Sequence, residues 1–328
     1  MKVNCKRFVL AGMLGVSLAT ISQAKSAQGQ AAAYRNLGID ARILGLGGAG
    51  VAVSSDVNAT YWNPAGLAGV KGKEAAAMHT SLSLDRNYNY LGYARPMGKD
   101  GWVLGVAYHR FSVDGIPETR IHNGLDVDGN GRFDDPILTG EVDGAPLAAG
   151  RATAPVRIFS YFEDAESNIS ISAAKQVNSR LNLGGTVRYL EQELFTESAD
   201  GVGFDFGVQY KASKRVTLGA SFRDMFESLK WTTGRKDTVP ITATVGGAFQ
   251  VNQSTLIALD GVKREREEVG LRLGVEKWFA EKYGLRLGSN EGEFTAGASA
   301  KYEEWTFDYA YNDQDLGNVQ RISAKRRF

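Results

Sequence analysis

Gly45-Leu-Gly-Gly-Ala-Gly50 carries glycines at the G-x-G-x-x-G spacing, the pattern with which a backbone can cradle a pyrophosphate. The context does not suit a dinucleotide. No strand, helix and second strand follow within about thirty residues, and the nearest acid, Asp56, comes too early to hold a ribose. What the four glycines Gly45, Gly47, Gly48 and Gly50 do offer is close approach of backbone to backbone.

A second run, Asp126-Val-Asp128-Gly-Asn130-Gly131-Arg-Phe-Asp134-Asp135, places side-chain oxygens where the first, third, fifth and ninth ligands of a calcium loop belong, with glycine at the sixth. Ile137 stands where the bidentate glutamate should be. Two readings stay open: a calcium loop completed by Asp135 or Glu141 in a different wrap, and an ordinary acidic turn. Beyond that calcium no cofactor is expected. The histidines are His79, His109 and His122, none spaced with another as metal ligands, and no Gly-x-Ser-x-Gly elbow is present. No catalytic residue is therefore proposed, and the chain is not read as an enzyme.

The elements that position these residues begin with export. Lys2, Lys6 and Arg7 precede an apolar run from Phe8 to Ile21 and small residues near Ala24, which predicts a secretory signal peptide over 1–24. No later segment approaches the roughly eighteen apolar residues of a membrane helix. The single cysteine, Cys5, precedes the apolar run and is not placed as a lipid anchor. Setting aside the three basic residues of the signal leaves 35 Lys+Arg against 37 Asp+Glu, which removes the nucleic-acid binders.

From about residue 74 the pattern has period two. Phe204, Phe206, Val208 and Tyr210 share one strand face and Asp205, Gly207 and Gln209 the other. Val269, Leu271, Leu273 and Val275 likewise oppose Gly270, Arg272, Gly274 and Glu276, and Trp305, Phe307, Tyr309 and Tyr311 oppose Thr306, Asp308, Ala310 and Asn312. Charges at regular positions inside strands suit a barrel with a wet lumen and a lipid-facing exterior. Turn signals divide 74–328 into about fourteen strands, each close to the roughly 9–11 residues a membrane strand needs. Short links such as Gly98-Lys-Asp-Gly101 and Ala212-Ser-Lys-Arg215 alternate with longer ones, above all an extracellular loop over 114–165. The alternation places short turns in the periplasm, where the N-terminal segment should start. Strand tryptophans are expected in interfacial girdles. Phe328 closes an alternating last strand and resembles the signal read by outer-membrane assembly machinery.

Ahead of the strands, Tyr61-Trp-Asn63-Pro64-Ala65-Gly-Leu-Ala68 follows the glycine run and Asp56. This order resembles the plug segment of FadL-like outer-membrane barrels, including the PorV/PorQ branch. The resemblance implies an all-β transmembrane barrel in the bacterial outer membrane, in contact with its lipid, with residues 25–73 folded inward as a plug or hatch. It implies passive uptake of hydrophobic small molecules, fatty acids or hydrocarbons, past a plug built on Gly45, Gly47, Gly48, Gly50, Asn63, Pro64 and Ala65. Its alternatives are an accessory barrel of type IX secretion, meeting the signal domains of secreted proteins, and a structural barrel with a closed lumen.

Overall fold

The computed structural model describes residues 31–98, 100–121, 141–142, 145–146, 156–314 and 317–328. The expected signal peptide 1–24 and the acidic run 126–135 lie outside them.

Fourteen strands form the wall. They are β1 Glu74–Leu82, β2 Arg86–Met97, β3 Trp102–Ile121, β4 Val156–Gln176, β5 Leu181–Leu194, β6 Glu197–Lys211 and β7 Val216–Met225, followed by β8 Thr242–Asn252, β9 Thr255–Arg264, β10 Val269–Phe279, β11 Tyr283–Asn290, β12 Glu293–Tyr302, β13 Trp305–Asn312 and β14 Val319–Arg327. Each pairs antiparallel with its neighbour in sequence, and β14 returns to β1 from Glu74↔Arg327 to Ser81↔Gln320. Closure leaves no edge strand with unpaired backbone, the condition for a sheet to stand in lipid. A short hairpin, Ser228–Trp231 with Lys236–Thr238, follows β7 and pairs with the start of β6 through Lys230↔Asp200.

The long strands differ from the sequence reading at one place. β3 continues to Ile121 and β4 begins at Val156, so both run into the stretch taken as the loop 114–165. Register shifts after Val113 and Glu118 break the pattern that period-two reading relies on.

The alternation sorts the faces as expected, with apolar side chains outward. Leu271 is 63% and Val245 60% exposed, while Arg272, Glu276, Asp205 and Asp308 are buried toward the lumen. The lumen itself departs from expectation. Instead of a wet channel it is packed, because residues 31–70 fill it and the inward charges pair with them and with one another. Trp102 and Trp305 stand on the outer wall near the short-link end, but Trp278 shares the inward face with Arg272 and Glu276 and lies under Arg286. Only part of the expected tryptophan girdle therefore exists.

Candidate functional site: the plugged lumen

The plug crosses the lumen more than once. Ala33–Leu37 forms a 3-10 turn near the long-link mouth, where Arg35 pairs with Asp224 at the end of β7 at 2.8 Å. Asn36 accepts from Arg264 at the end of β9 at 3.2 Å. The described segment thus begins at the end opposite the periplasmic start expected from sequence. It then descends to α1, Ala41–Gly45, whose N-cap Asp40 accepts from the Arg42 amide at 3.1 Å. Arg42 grips Glu276 of β10 with two hydrogen bonds of 2.9 and 2.8 Å. After Gly47 and Val51, whose amides meet Thr295 at 3.0 Å and Asp260 at 2.9 Å, the chain turns down again. Asp56 pairs with Lys325 of β14, and the Val57 amide reaches Glu74 of β1 at 3.1 Å. The last pieces are α2, Ala59–Trp62, and the 3-10 helix Pro64–Gly69.

Asn63 is the joint of this path. It is fully buried; its Oδ1 accepts from the Ala65 amide at 3.2 Å and caps the 3-10 helix that Pro64 opens. Its Nδ2 donates to the Val51 carbonyl at 2.8 Å and to the Val208 carbonyl of β6 at 3.0 Å. One amide therefore ties the plug to itself and to the wall. Ala65 is buried beside it.

The wall receives the plug at glycines. Gly184 and Gly207 face each other across β5 and β6, and a Cβ on either would collide with Pro64 or Asn63. Gly274 and Gly288, opposed on β10 and β11, lie against Leu46 and Gly47 in the same way, and Gly219 of β7, opposite Gly246, lies against Val51. On the plug side, a methyl on Gly45 would sit 3.0 Å from the Gly297 Cα, and one on Gly50 would sit 2.8 Å from Ile43 and the Trp62 ring. Gly47 meets wall carbonyls and has φ +68°; Gly48, with φ +73° and only the side chains of Arg272 and Asn290 nearby, is needed chiefly for its backbone angle.

Two charge networks hold the ends. Toward the long-link mouth Arg188 binds Asp205 through two bonds of 2.8 and 2.9 Å and also reaches Asp224 and Glu227 at 3.0 Å. Toward the other end Glu276 is shared by Arg42 and Arg286, the latter at 2.7 Å. Beside Arg42, burial pushes the Asp40 carboxyl up to about 7, with Asp56 and Asp308 adding to the effect. Asp205 and Glu276 are among the polar-face residues read from sequence; Arg188, Asp224, Glu227 and Arg286 are not.

An aromatic column joins plug and wall. Tyr34 stacks on Phe111 at 5.9 Å between centroids and meets Tyr88 edge-on at 6.0 Å, while its hydroxyl accepts from Asn168 at 2.7 Å. Below it Tyr88 bonds His109 at 3.0 Å, Tyr90 lies 5.0 Å from the same imidazole, and Tyr61 and Trp62 pack edge-to-face at 4.9 Å. His109 is a lumen residue enclosed by the rings of Tyr61, Tyr88 and Tyr90. Among the described residues no group of three or more His, Cys, Asp or Glu is arranged to hold a metal.

Phe328 ends the last strand on the outer face, its amide donating to the Lys73 carbonyl at 2.9 Å and its ring 4.7 Å from the Arg326 guanidinium.

No protein-family model matches the chain, and no curated protein matches it in sequence. Solved structures do match. The CymD monoaromatic hydrocarbon channel superposes with a TM-score of 0.60 at 14% identity, over 89% of this chain and 98% of that one. In fold, this chain is a FadL-like barrel. The toluene transporter TbuX of Ralstonia pickettii gives 0.58 at 14% identity over 89% and 98% of the two chains. A Pseudomonas aeruginosa FadL homologue gives 0.54 at 12% over 85% and 96%. None of the three is named as an enzyme.

Proposed function

We propose that this FadL-like barrel stands in the bacterial outer membrane and admits hydrophobic small molecules past its plug. The aromatic column carries this reading. Tyr34, Tyr88 and Phe111 join Tyr61 and Trp62 through the ring of His109, giving plug and wall a shared aromatic track in a lumen that also holds many charges. A hydrophilic solute gains nothing there, whereas an apolar one exchanges water for ring contacts worth roughly 25 cal/mol per Å² of buried apolar surface. The resemblance in fold to channels named for toluene and monoaromatic hydrocarbons supports the same solute class.

The test is saturable binding and vesicle uptake of labelled oleate and toluene by the reconstituted, delipidated protein. Absence of both across that panel would sink the reading.

The tight seat of Asn63 and Pro64, together with the Tyr61–Ala68 motif, favours a second reading, a fixed-plug accessory barrel of type IX secretion. In that case a deletion strain retains cargo with uncleaved C-terminal signals in its periplasm. A strain with normal display, and a protein without ligand, would leave the structural barrel.

A further inference from the structure

The outer wall of the barrel is charged differently at its two rims. Near the short links, Trp102 and Lys175 are opposed across β3 and β4, with the Lys175 ammonium 5.6 Å from the indole centroid. Trp305 and Arg326 are opposed in the same way across β13 and β14, with the guanidinium 5.3 Å from the ring. Arg95, on the intervening strand β2, is exposed opposite Leu104. Among the described residues these three cations have no acidic partner; Asp100, Glu303 and Glu304 sit in the links beyond the strand ends. Further toward the barrel's middle the same face turns apolar, with Val106, Ile171, Phe307 and Ile322 exposed. At the other rim the outward Arg110 is neutralised by Glu163 at 2.7 Å, and Glu191, Glu193 and Asp200 are exposed.

We infer that the arc of Arg95, Lys175 and Arg326 binds the phosphodiester headgroups of anionic phospholipid in the leaflet at the short-link rim. A cation held beside an interfacial indole, just outside an apolar band, lies at headgroup depth. An unpaired cation there gains most from a lipid carrying net negative charge. The indoles of Trp102 and Trp305 fix that depth for Lys175 and Arg326. The inference requires the barrel to stand in a bilayer and is independent of what crosses its lumen.

The test uses the full chain in lipid nanodiscs, with intrinsic tryptophan fluorescence quenched by brominated phosphatidylglycerol or brominated phosphatidylcholine. Trp102 and Trp305 face the lipid, whereas Trp62 and Trp278 do not. The expected result is a relative association about three- to fivefold higher for the anionic lipid. It falls to parity in the Lys175→Gln/Arg326→Gln protein and is kept in Arg110→Gln, each checked for folding by heat-dependent gel migration. Equal quenching of the unaltered protein by the two lipids at low salt would overturn the inference, as would a preference that survives in the double variant. Loss of solute binding with the lipid preference intact would count against the proposed transport alone.

Discussion

Asn63 donates its side-chain amide to the backbone carbonyl of Val208, 3.0 Å away on β6, and so fastens the middle of the plug to the wall. The same nitrogen holds Val51. Replacing Asn63 with Ala removes both donations and the cap on Ala65, at a net loss of roughly 0.5–1.5 kcal/mol per hydrogen bond, although the Val51 carbonyl still accepts from Gln209 at 3.2 Å. The wall keeps its own ladder hydrogen bonds. Asn63→Ala should therefore expose residues 31–70 to limited proteolysis while heat-dependent gel migration of the barrel stays unchanged.

Gly184 and Gly207 give a sharper test, because they act through space rather than bonding. A side chain at Gly184 would overlap the Pro64 carbonyl group, and one at Gly207 would overlap Asn63. Gly185, the next residue on β5, has room for a methyl, with the nearest atom 3.6 Å away. If the plug gates the lumen, Gly184→Val should raise single-channel conductance in planar bilayers and Gly185→Ala should leave it unchanged. Equal conductance in the two variants would mean that the plug tolerates displacement without opening a path.

The barrel was legible in the sequence because one physical variable, the face a side chain meets, repeats every two residues. Phe204, Phe206 and Val208 against Asp205 and Gln209 already contain the lipid face and the lumen face. The limits of β3 and β4 were not legible, since the shifts after Val113 and Glu118 interrupt that period. The plug motif announced its place through Asn63 and Pro64. Its seats were hidden: Gly184, Gly207, Gly274 and Gly288 lie far from Gly47 and Asn63 in sequence, and only the register brings each pair together. The pairing of Arg42 with Glu276, separated by 234 residues, was invisible for the same reason.

That ion pair yields a third prediction. Arg42 and Arg286 share Glu276, whose side chain is buried. Glu276→Gln takes the paired carboxylate from Arg42 and leaves Arg286 with Asp308 at 3.5 Å, and removing one partner from a buried pair costs about 3–5 kcal/mol. Arg42→Met removes only the plug's side and leaves Glu276 paired with Arg286. The wall variant should therefore lower the thermal unfolding midpoint more than the plug variant. In a double-mutant cycle the two substitutions should be strongly non-additive, since they share one carboxylate.

Asp40 supplies the pH dependence of plug docking. Its carboxyl titrates near 7 in the folded protein because burial disfavours the charge, with Asp56 and Asp308 nearby and Lys325 and Arg42 opposing them. A carboxyl raised in the folded state contributes stability that is whole below its unfolded value of 3.8 and is lost as pH rises through about 7. Each unit of separation amounts to about 1.4 kcal/mol. Plug release, followed by proteolysis of residues 31–70, should accordingly be easier at pH 8 than at pH 5. Asp40→Asn keeps an acceptor for the Arg42 amide at the start of α1 and removes the charge. That variant should lose this component of the pH dependence and resist the protease at pH 8 better than the unaltered protein. An unchanged pH profile in the variant would assign the dependence to another of the lumen charges.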